Sequence, residues 1–233
     1  LSEAASLLIV AVYAWVKVDG REFGLKPLYD KRLLVELLRL SLWSMLHAFI
    51  SVAPWFLFFV AIERLGEVQL AVSNIIRSVS TVFFVIVNSF AATTGALVSN
   101  LIGAGERRLL FPLCRKIVKL GYAIGFPLIV LAACFHRQIA GLYTDSTRLI
   151  EMSAVPFIVM LFNYVFALPG YVYINAVTGT GKTRTAFLFQ LTTIAVYLAY
   201  LYLLSRYAGV PLAVYLMAEY LFVILLAIQS VLY

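Results

Sequence analysis

The amino-acid sequence predicts an all-α polytopic membrane protein: a bundle of six transmembrane helices preceded by the end of a further helix. Hydrophobic residues make up 64% of the 233-residue chain and charged residues only 12%, whereas a soluble domain is about half apolar and about a quarter charged. The mean hydropathy is +0.99. The few charges are also clustered, with long apolar segments between the clusters. These observations argue against a large soluble helical protein.

Five segments without Asp, Glu, Lys or Arg define the first five spans. They contain 23, 28, 17, 30 and 21 residues, at 40–62, 78–105, 120–136, 152–181 and 185–205. About 20 apolar residues cross a bilayer as a helix, with roughly 17 as the lower limit. A sixth segment, 211–233, is long enough if one buried acid, Glu219, is accepted. The predicted helices lie near 40–62, 69–100, 115–135, 152–175, 185–205 and 211–233.

The first 39 residues precede this bundle. Residues 1–16 are apolar and helical in character but too short to span, and we interpret them as the end of a helix. No basic leader or cleavage site accompanies them, as a signal peptide would require. The polar segment 17–39 is predicted to be a cytoplasmic linker, with Gly20, Gly24 and Pro27 as helix breakers. Residues 31–40 fit either an amphipathic interfacial helix or an extension of the next span.

Lys and Arg are distributed unequally between the two sides of this predicted topology. Twelve fall on the side of segments 17–32, 101–119 and 176–184, and four fall on the other side. Cytoplasmic loops of membrane proteins carry an excess of Lys and Arg, so the first side is predicted to be cytoplasmic. The net charge of +7 is therefore explained by topology, and no nucleic-acid partner is predicted. The lipid bilayer is the predicted environment.

One nine-residue pattern occurs twice. Residues 103–111 (GAGERRLLF) match residues 179–187 (GTGKTRTAF) at both glycines, the arginine and the phenylalanine. Glycine ends helices readily because it adopts the left-handed conformation without a Cβ clash. The pattern predicts a helix hairpin closed by a Gly-x-Gly turn and used twice. A duplication and two independent helix stops both remain open.

Motifs for enzymatic chemistry are weak. Residues 176–183 nearly match a phosphate-binding loop, but the first glycine is missing and no strand precedes the loop. His47 and His136 are far apart in the chain, no paired Asp motif occurs, and Cys114 and Cys134 lack metal-ligand spacing. We therefore predict no enzyme, no catalytic residue, no metal site and no cofactor.

Polar residues inside the spans are the best candidates for a functional site. Charges inside a membrane are costly and usually face a partner or a water-filled cavity. Arg77 lies about 12 Å from the outer end of its helix at 1.5 Å per residue, and Glu219 and Asn163 lie at a similar depth. A purely structural Arg77–Glu219 pair, or polar contacts that hold helices together, is the alternative. The stripe around Arg77, with helical spacing, consists of Asn74, Arg77, Thr81 and Asn88.

The first complete span adds two candidates for the same ion or substrate cavity. His47 and Ser51 share a helical face with Ser44 and Trp55. A single histidine on such a face is more often packed or hydrogen-bonded than proton-carrying, and that structural alternative stays open.

The segments ERLGEVQLAVSNIIRSVSTVFFVIVNSFAATTGALVSNLIGAGERR and NAVTGTGKTRTAF resemble the multidrug and toxin extrusion (MATE) family. The similarity is to its C-terminal lobe, helices seven to twelve, in a branch common among Bacteroidetes-like bacteria. The Leu-Gly after the first span and the turns at 102–106 and 179–184 carry the resemblance. It covers nearly the whole chain.

This resemblance implies a twelve-helix transporter of two six-helix lobes in a bacterial inner (plasma) membrane. Residues 1–16 would be the end of helix six, 17–39 the inter-lobe linker and 40–233 the C-terminal lobe. The implied function is a secondary active antiporter that exports organic cations or drugs in exchange for sodium ions or protons. The implied partners are the N-terminal lobe of the same protein and a small amphipathic or cationic substrate.

Many family members carry a membrane-buried acid midway along helix seven, but that position lies near Ser51 in this sequence. Either Glu219 replaces this acid or the coupling acid lies in the N-terminal lobe. The alternative function within the same superfamily is a flippase of lipid-linked sugars. A membrane-embedded enzyme is the alternative from another class.

Overall fold

The computed structural model describes residues 2–17, 29–63, 65–207 and 209–233, and within them the secondary structure is helical, with no strand. The all-α prediction is therefore confirmed. Residues 40–233 form one compact unit, and residues 1–39 form another. The helices are α1 (Ser2–Lys17), α2 (Lys31–Glu63), α3 (Glu67–Gly103), α4 (Leu110–Cys134), α5 (His136–Gly141), α6 (Thr147–Phe162), α7 (Tyr164–Gly179), α8 (Thr183–Ser205) and α9 (Leu212–Leu232), with a 3₁₀ turn at Arg107–Leu109.

Six helical segments are long and apolar enough to cross a membrane. They are α2, α3, α4 with its preceding 3₁₀ turn, α6 together with α7, α8 and α9. The number and order of spans match the sequence prediction, which confirms the six-helix bundle. Most of the helices extend beyond their predicted ends, because polar residues at a span's end continue the helix outside the apolar segment.

Two details differ from the prediction. The predicted helix at 152–175 is two helices, α6 and α7, with Asn163 between them. The Asn163 carbonyl oxygen accepts hydrogen bonds from the amides of both Phe166 (3.0 Å) and Ala167 (2.9 Å). The regular i to i+4 pattern of backbone hydrogen bonds is therefore interrupted between the two helices. The connection predicted at 136–151 contains the short helix α5.

The start of α2 resolves one of the open alternatives. The Asp30 carboxylate accepts bonds from the amides of Arg32 (2.8 Å) and Leu33 (3.2 Å), which is the usual cap of a helix N-terminus. The helix then runs without interruption to Glu63. Residues 31–40 are thus an extension of the first span and not a separate interfacial helix. Residues 18–28 of the predicted linker lie outside the described residues.

Helix α7 lies at the centre of the compact unit, where it packs against α3, α4, α8 and α9. Two apolar clusters form on its two sides. The first lies among α7, α8 and α9 and includes Tyr197, Tyr215 and Phe222. The second lies among α3, α4, α6 and α7 and includes Val87 and Leu168. The core therefore surrounds α7, while the opposite faces of α3 and α4 remain exposed.

Two tyrosine hydroxyls cross between α4 and α7. Tyr122 on α4 donates to the Val165 carbonyl, which Pro169 leaves without its usual helical partner because proline has no amide proton. Tyr164 on α7 donates to the Gly121 carbonyl at 3.0 Å. Backbone polar groups must be satisfied inside a bilayer, and here a side chain from the neighbouring helix does so. We call this arrangement the tyrosine clasp.

The repeated pattern forms two turns of the same backbone geometry. Gly105 has φ +79° and Gly181 has φ +81°, in the left-handed region that favours glycine. The preceding glycines differ in their surroundings. A Cβ added at Gly179 would lie 2.5 Å from the Gly95 carbonyl oxygen on α3, whereas one added at Gly103 would meet no atom within 4 Å. We call residues 103–111 the first turn and 179–187 the second turn.

Candidate functional site

Glu219 lies in the interior of the bundle. Its side chain, on α9, is only 6% exposed. The Tyr197 hydroxyl of α8 lies 3.1 Å from the Glu219 Oε1 atom and 3.3 Å from the Pro54 carbonyl oxygen of α2. A tyrosine hydroxyl has one proton to donate, so these two acceptors share it. The carboxyl group thus sits where α2, α8 and α9 meet, and among the described residues Tyr197 is its one hydrogen-bond donor.

Glu219 also lines a small cavity of about 50 Å³. Asn163, in the break between α6 and α7, lines the same cavity and is 7% exposed. Its Oδ1 atom has no hydrogen-bond partner within the described part of the chain. A buried polar atom without a partner is costly and uncommon in native structures. The cavity is therefore lined by two oxygen-bearing side chains whose hydrogen-bonding capacity is at most partly used by the described residues.

The cavity has the size and the chemistry to hold a small polar species. Its volume exceeds the roughly 10–15 Å³ that one water molecule needs. Carboxylate and amide oxygens are the ligands that hard cations prefer, and a carboxyl group can also bind a proton. Ser80 lines the cavity as well, with its hydroxyl proton donated to the Ile76 carbonyl at 2.7 Å, which leaves its oxygen lone pairs available. The described lining therefore favours a cation or a proton over an anion.

Arg77 lies elsewhere. Its side chain is exposed, and its guanidinium carbon stands 4.8 Å from the centre of the Phe59 ring on α2. Both Arg77 and Glu219 fall in the described residues, and no ion pair joins them; Glu219 bonds to Tyr197 instead. The alternative of a structural Arg77–Glu219 pair is therefore wrong. The two residues are at similar depth, but Arg77 is exposed and lies against Phe59 of α2, whereas Glu219 is buried inside the bundle.

The structure divides the sequence-predicted site residues into two groups. Glu219 and Asn163 line one interior cavity. The residues of the α3 stripe lie on the opposite, exposed face of that helix, whose inward face carries Val72, Ile76, Val79 and Val87. The side chains of His47 and Ser51 lie outside the described residues. The stripe consists of Asn74, Arg77, Thr81 and Asn88.

Two residues near the cavity were missed by the sequence analysis. Tyr197 donates a hydrogen bond to Glu219, and Tyr171 lines the same cavity as Glu219. Both lie in long apolar runs in which an aromatic residue gives no distinctive signal. A buried tyrosine usually has a hydrogen-bond partner for its hydroxyl. The available signal was therefore a tyrosine near the middle of one span and an acid near the middle of the next, which together predict a hydrogen bond between the two helices.

A comparison with protein families matches the MatE family over residues 44–203, which is more than half of the chain. No curated protein matches the chain.

Three solved structures have the same fold at low sequence identity. A MATE transporter in the bent conformation is 13% identical with a TM-score of 0.74, covering 84% of this chain and 44% of the other. A MATE transporter in complex with MaL6 is 19% identical with a TM-score of 0.76, and the match covers 96% of this chain and 51% of the other. A MOP superfamily transporter from Pyrococcus furiosus Vc1, described as having a binding pocket of reverse polarity that suggests a different function, is 14% identical with a TM-score of 0.71, covering 84% and 43%. The chain thus spans about half the length of these proteins.

Proposed function

The chain belongs to the MatE family, and on that premise we propose that it is the C-terminal lobe of a secondary active antiporter that exports organic cations or other drugs in exchange for sodium ions or protons. The family and the six apolar helices make it a multi-pass membrane protein of a transporter family. We further propose that it acts in the bacterial inner membrane together with an N-terminal lobe of the same full-length protein.

The interior cavity with Glu219 is the observation on which this proposal rests. A buried ionisable group inside a membrane is costly and usually marks an ion or proton pathway. Glu219 has one neutral hydrogen-bond donor, Tyr197, and no cationic partner among the described residues. Asn163, whose Oδ1 atom has no hydrogen-bond partner among the described residues, lines the same cavity. We infer that the coupling ion, a sodium ion or a proton, binds between these two side chains.

The test is gradient-driven efflux by the full-length protein in proteoliposomes, with sodium and proton gradients applied separately. The variant is Glu219→Gln, which keeps the size of the side chain and one carbonyl oxygen. We expect the variant to remain folded and to lose the dependence of efflux on the coupling gradient. Glu106→Gln, at an exposed acid in the first turn, is the matched control and should retain it. Gradient-dependent efflux that is unchanged in a stable Glu219→Gln protein would remove Glu219 from the coupling mechanism.

Folding must be followed on the same preparations, because a buried substitution also changes packing. Thermal unfolding of each variant provides this measurement. Asn163→Ser keeps an oxygen but shortens the side chain, and it should weaken the dependence of efflux on ion concentration without abolishing transport. If both variants unfold, Tyr197→Phe removes only the hydroxyl bonded to Glu219 and should shift the same ion dependence. An ion dependence that all three variants leave unchanged would contradict the proposal.

Arg77 favours a second candidate function, a flippase of lipid-linked sugars. Its charge lies on the exposed face of α3 within a predicted span and has no acidic partner among the described residues. Such a group suits an anionic substrate group such as a phosphate, with which arginine makes bidentate bonds. Drug susceptibility of a sensitive host that expresses the full-length gene distinguishes the two: resistance supports export, and a cell-envelope defect on deletion supports flipping.

A further inference from the structure

We propose that the exposed face of α4 is a binding site for an anionic phospholipid, with the headgroup held by Arg115, Lys116 and Lys119 and the acyl chains along the apolar residues that follow. The proposal concerns the membrane around the protein. It does not depend on the exported substrate or the coupling ion.

Helix α4 has one inward and one outward face along its whole length. The buried residues recur every three or four positions and pack against α3 and α7. The three basic residues lie on the other side, where they are exposed. The inward face consists of Cys114, Ile117, Gly121, Gly125, Ile129 and Ala132.

The basic end of the outward face is concave. Arg115, Lys116 and Lys119 line a cavity of about 440 Å³ together with Phe111 and Pro112. Lys119 is four residues from Arg115 and three from Lys116, so it neighbours both on the helix surface, and all three line the same cavity. The apolar edge of the cavity is formed by Phe111, whose ring is 60% exposed.

No acidic side chain among the described residues neutralises the charge of this basic cluster. Residues 107–144 contain no Asp or Glu. Within the described residues, none of the three cations forms an ion pair, although Arg115 does lie close enough to Tyr173 to interact with its hydroxyl electrostatically. The second turn differs, because its Arg184 lies 5.7 Å from the Trp43 ring. The α4 cluster is therefore a positively charged hollow without an acidic partner in the part of the chain that the structure describes.

The same face continues as an apolar strip. Leu120, Ile124, Leu128 and Leu131 follow Lys116 at helical spacing, and all four are exposed. A face that is basic at one end and apolar for the rest of a membrane span matches the order of a phospholipid, headgroup first and acyl chains after. The excess of Lys and Arg also predicts that the basic end is cytoplasmic. Anionic lipids give that leaflet its negative surface potential, to which juxtamembrane basic residues are attracted.

The experiment measures lipids retained by the full-length protein. The protein is purified from detergent micelles that contain equal amounts of phosphatidylglycerol and phosphatidylcholine, and bound lipid is identified by native mass spectrometry. We expect enrichment of phosphatidylglycerol that decreases with added salt, because salt screens exposed charges. The variant Arg115→Gln/Lys116→Gln/Lys119→Gln should lose this enrichment, with up to about a hundredfold weaker binding for three basic residues.

Two further variants separate the site from total charge. Lys31→Gln/Arg32→Gln/Lys182→Gln removes the same charge from exposed positions elsewhere on the predicted cytoplasmic side, and it should retain phosphatidylglycerol as the unmodified protein does. Arg115→Lys/Lys116→Arg/Lys119→Arg keeps the charges and should also retain it. Thermal unfolding of all variants shows whether they are folded, and single Gln variants with partial losses replace the triple variant if it unfolds.

Three outcomes would overturn the proposal. The first is unchanged phosphatidylglycerol retention in a folded triple Gln variant. The second is an equal loss in the charge-matched control, which would mean that net charge and not this site attracts the lipid. The third concerns free anions: sodium phosphate or glycerol phosphate that displaces phosphatidylglycerol at low millimolar concentration would indicate a site for a soluble phosphate compound instead.

Discussion

The first and second turns share both glycines, an arginine and a phenylalanine, yet they differ in what surrounds them. In the first turn Phe111 is exposed and contributes to the α4 cavity. In the second turn the equivalent Phe187 ring lies 5.4 Å from the Trp43 ring, and the guanidinium carbon of Arg184 lies over the Trp43 ring, 5.7 Å from its centre. The second turn also contacts α3, since the Ser99 hydroxyl of that helix lies 2.8 Å from the Gly179 carbonyl oxygen, to which it donates.

The comparison separates what the repeated residues do for the backbone of each turn from what they do in packing against other helices. The second glycine of each turn has the same positive φ, so the backbone conformation follows from the local sequence. The first glycine, the arginine and the phenylalanine have roles that depend on whether another helix is near. The second turn has α2 and α3 as neighbours and packs against both, whereas in the first turn the Phe111 ring lies 6.1 Å from the Tyr173 ring of α7 and the residue remains 60% exposed.

The largest expected effect tests whether the two turns lie on the same side of the membrane. Single cysteines at Glu106 and Lys182, both exposed, should be labelled completely by a membrane-impermeant maleimide from the cytoplasmic side and not from outside. Asp145→Cys, at an exposed position in the connection before α6, should show the opposite pattern. The background must lack Cys134, which is also exposed. Labelling of positions 106 and 145 from the same side would contradict the predicted order of spans.

The next effect concerns the first glycines. Gly179→Ala places a Cβ atom 2.5 Å from the Gly95 carbonyl oxygen, so α3 and α7 must separate. We expect a loss of about 1–3 kcal/mol in the free energy of unfolding, as for other overpacked sites. Gly103→Ala meets no atom within 4 Å and should change stability by less than about 0.5 kcal/mol. Thermal unfolding in detergent measures both, and equal losses would mean that the two turns are packed alike.

A matched pair at the second glycines provides the control for that comparison. Gly105→Ala and Gly181→Ala both place a side chain at positive φ in open space. The expected cost is about 1 kcal/mol in each case, and the two values should agree.

The smallest effect concerns the arginines. Arg184→Gln removes the cation above Trp43 and should lower the free energy of unfolding by about 0.5–1 kcal/mol, since the site is exposed. Arg108→Gln in the first turn has no aromatic partner among the described residues and should have no measurable effect. A double variant with Trp43→Leu isolates the interaction: the effect of Arg184→Gln should disappear there, and its persistence would assign the stabilisation to another cause.

The spans were predictable from the sequence because one property determines them. A segment without charges that is long enough to cross the bilayer must be helical there, since only a helix satisfies its own backbone in lipid. The break between α6 and α7 could not be predicted in this way. Residues 152–181 are uncharged throughout, so hydropathy gives one continuous span. The break is marked by the Asn163 carbonyl oxygen, which accepts hydrogen bonds from two amides, and hydropathy contains no information on backbone hydrogen bonds.

The candidate site shows the same limit. Counting residues from a span's end gives the depth of Arg77 and Glu219 but not the direction in which each side chain points. Depth alone made the two look like partners, whereas the packing of α3 turns Arg77 outward and the packing of α9 turns Glu219 inward. Tyr197 was missed for a related reason, because its relation to Glu219 exists only once α8 and α9 are packed together.

The tyrosine clasp has a mechanical consequence. Tyr122 on α4 bonds to Val165 on α7, and Tyr164 on α7 bonds back to Gly121 on α4. Sliding one helix along the other by a single residue, a shift of about 1.5 Å, would break both bonds. The Val165 carbonyl would then lose its hydrogen-bond donor, because Pro169 has no amide proton to donate. The two bonds run in opposite directions between the helices, so the pair resists shear of α4 against α7 in either direction.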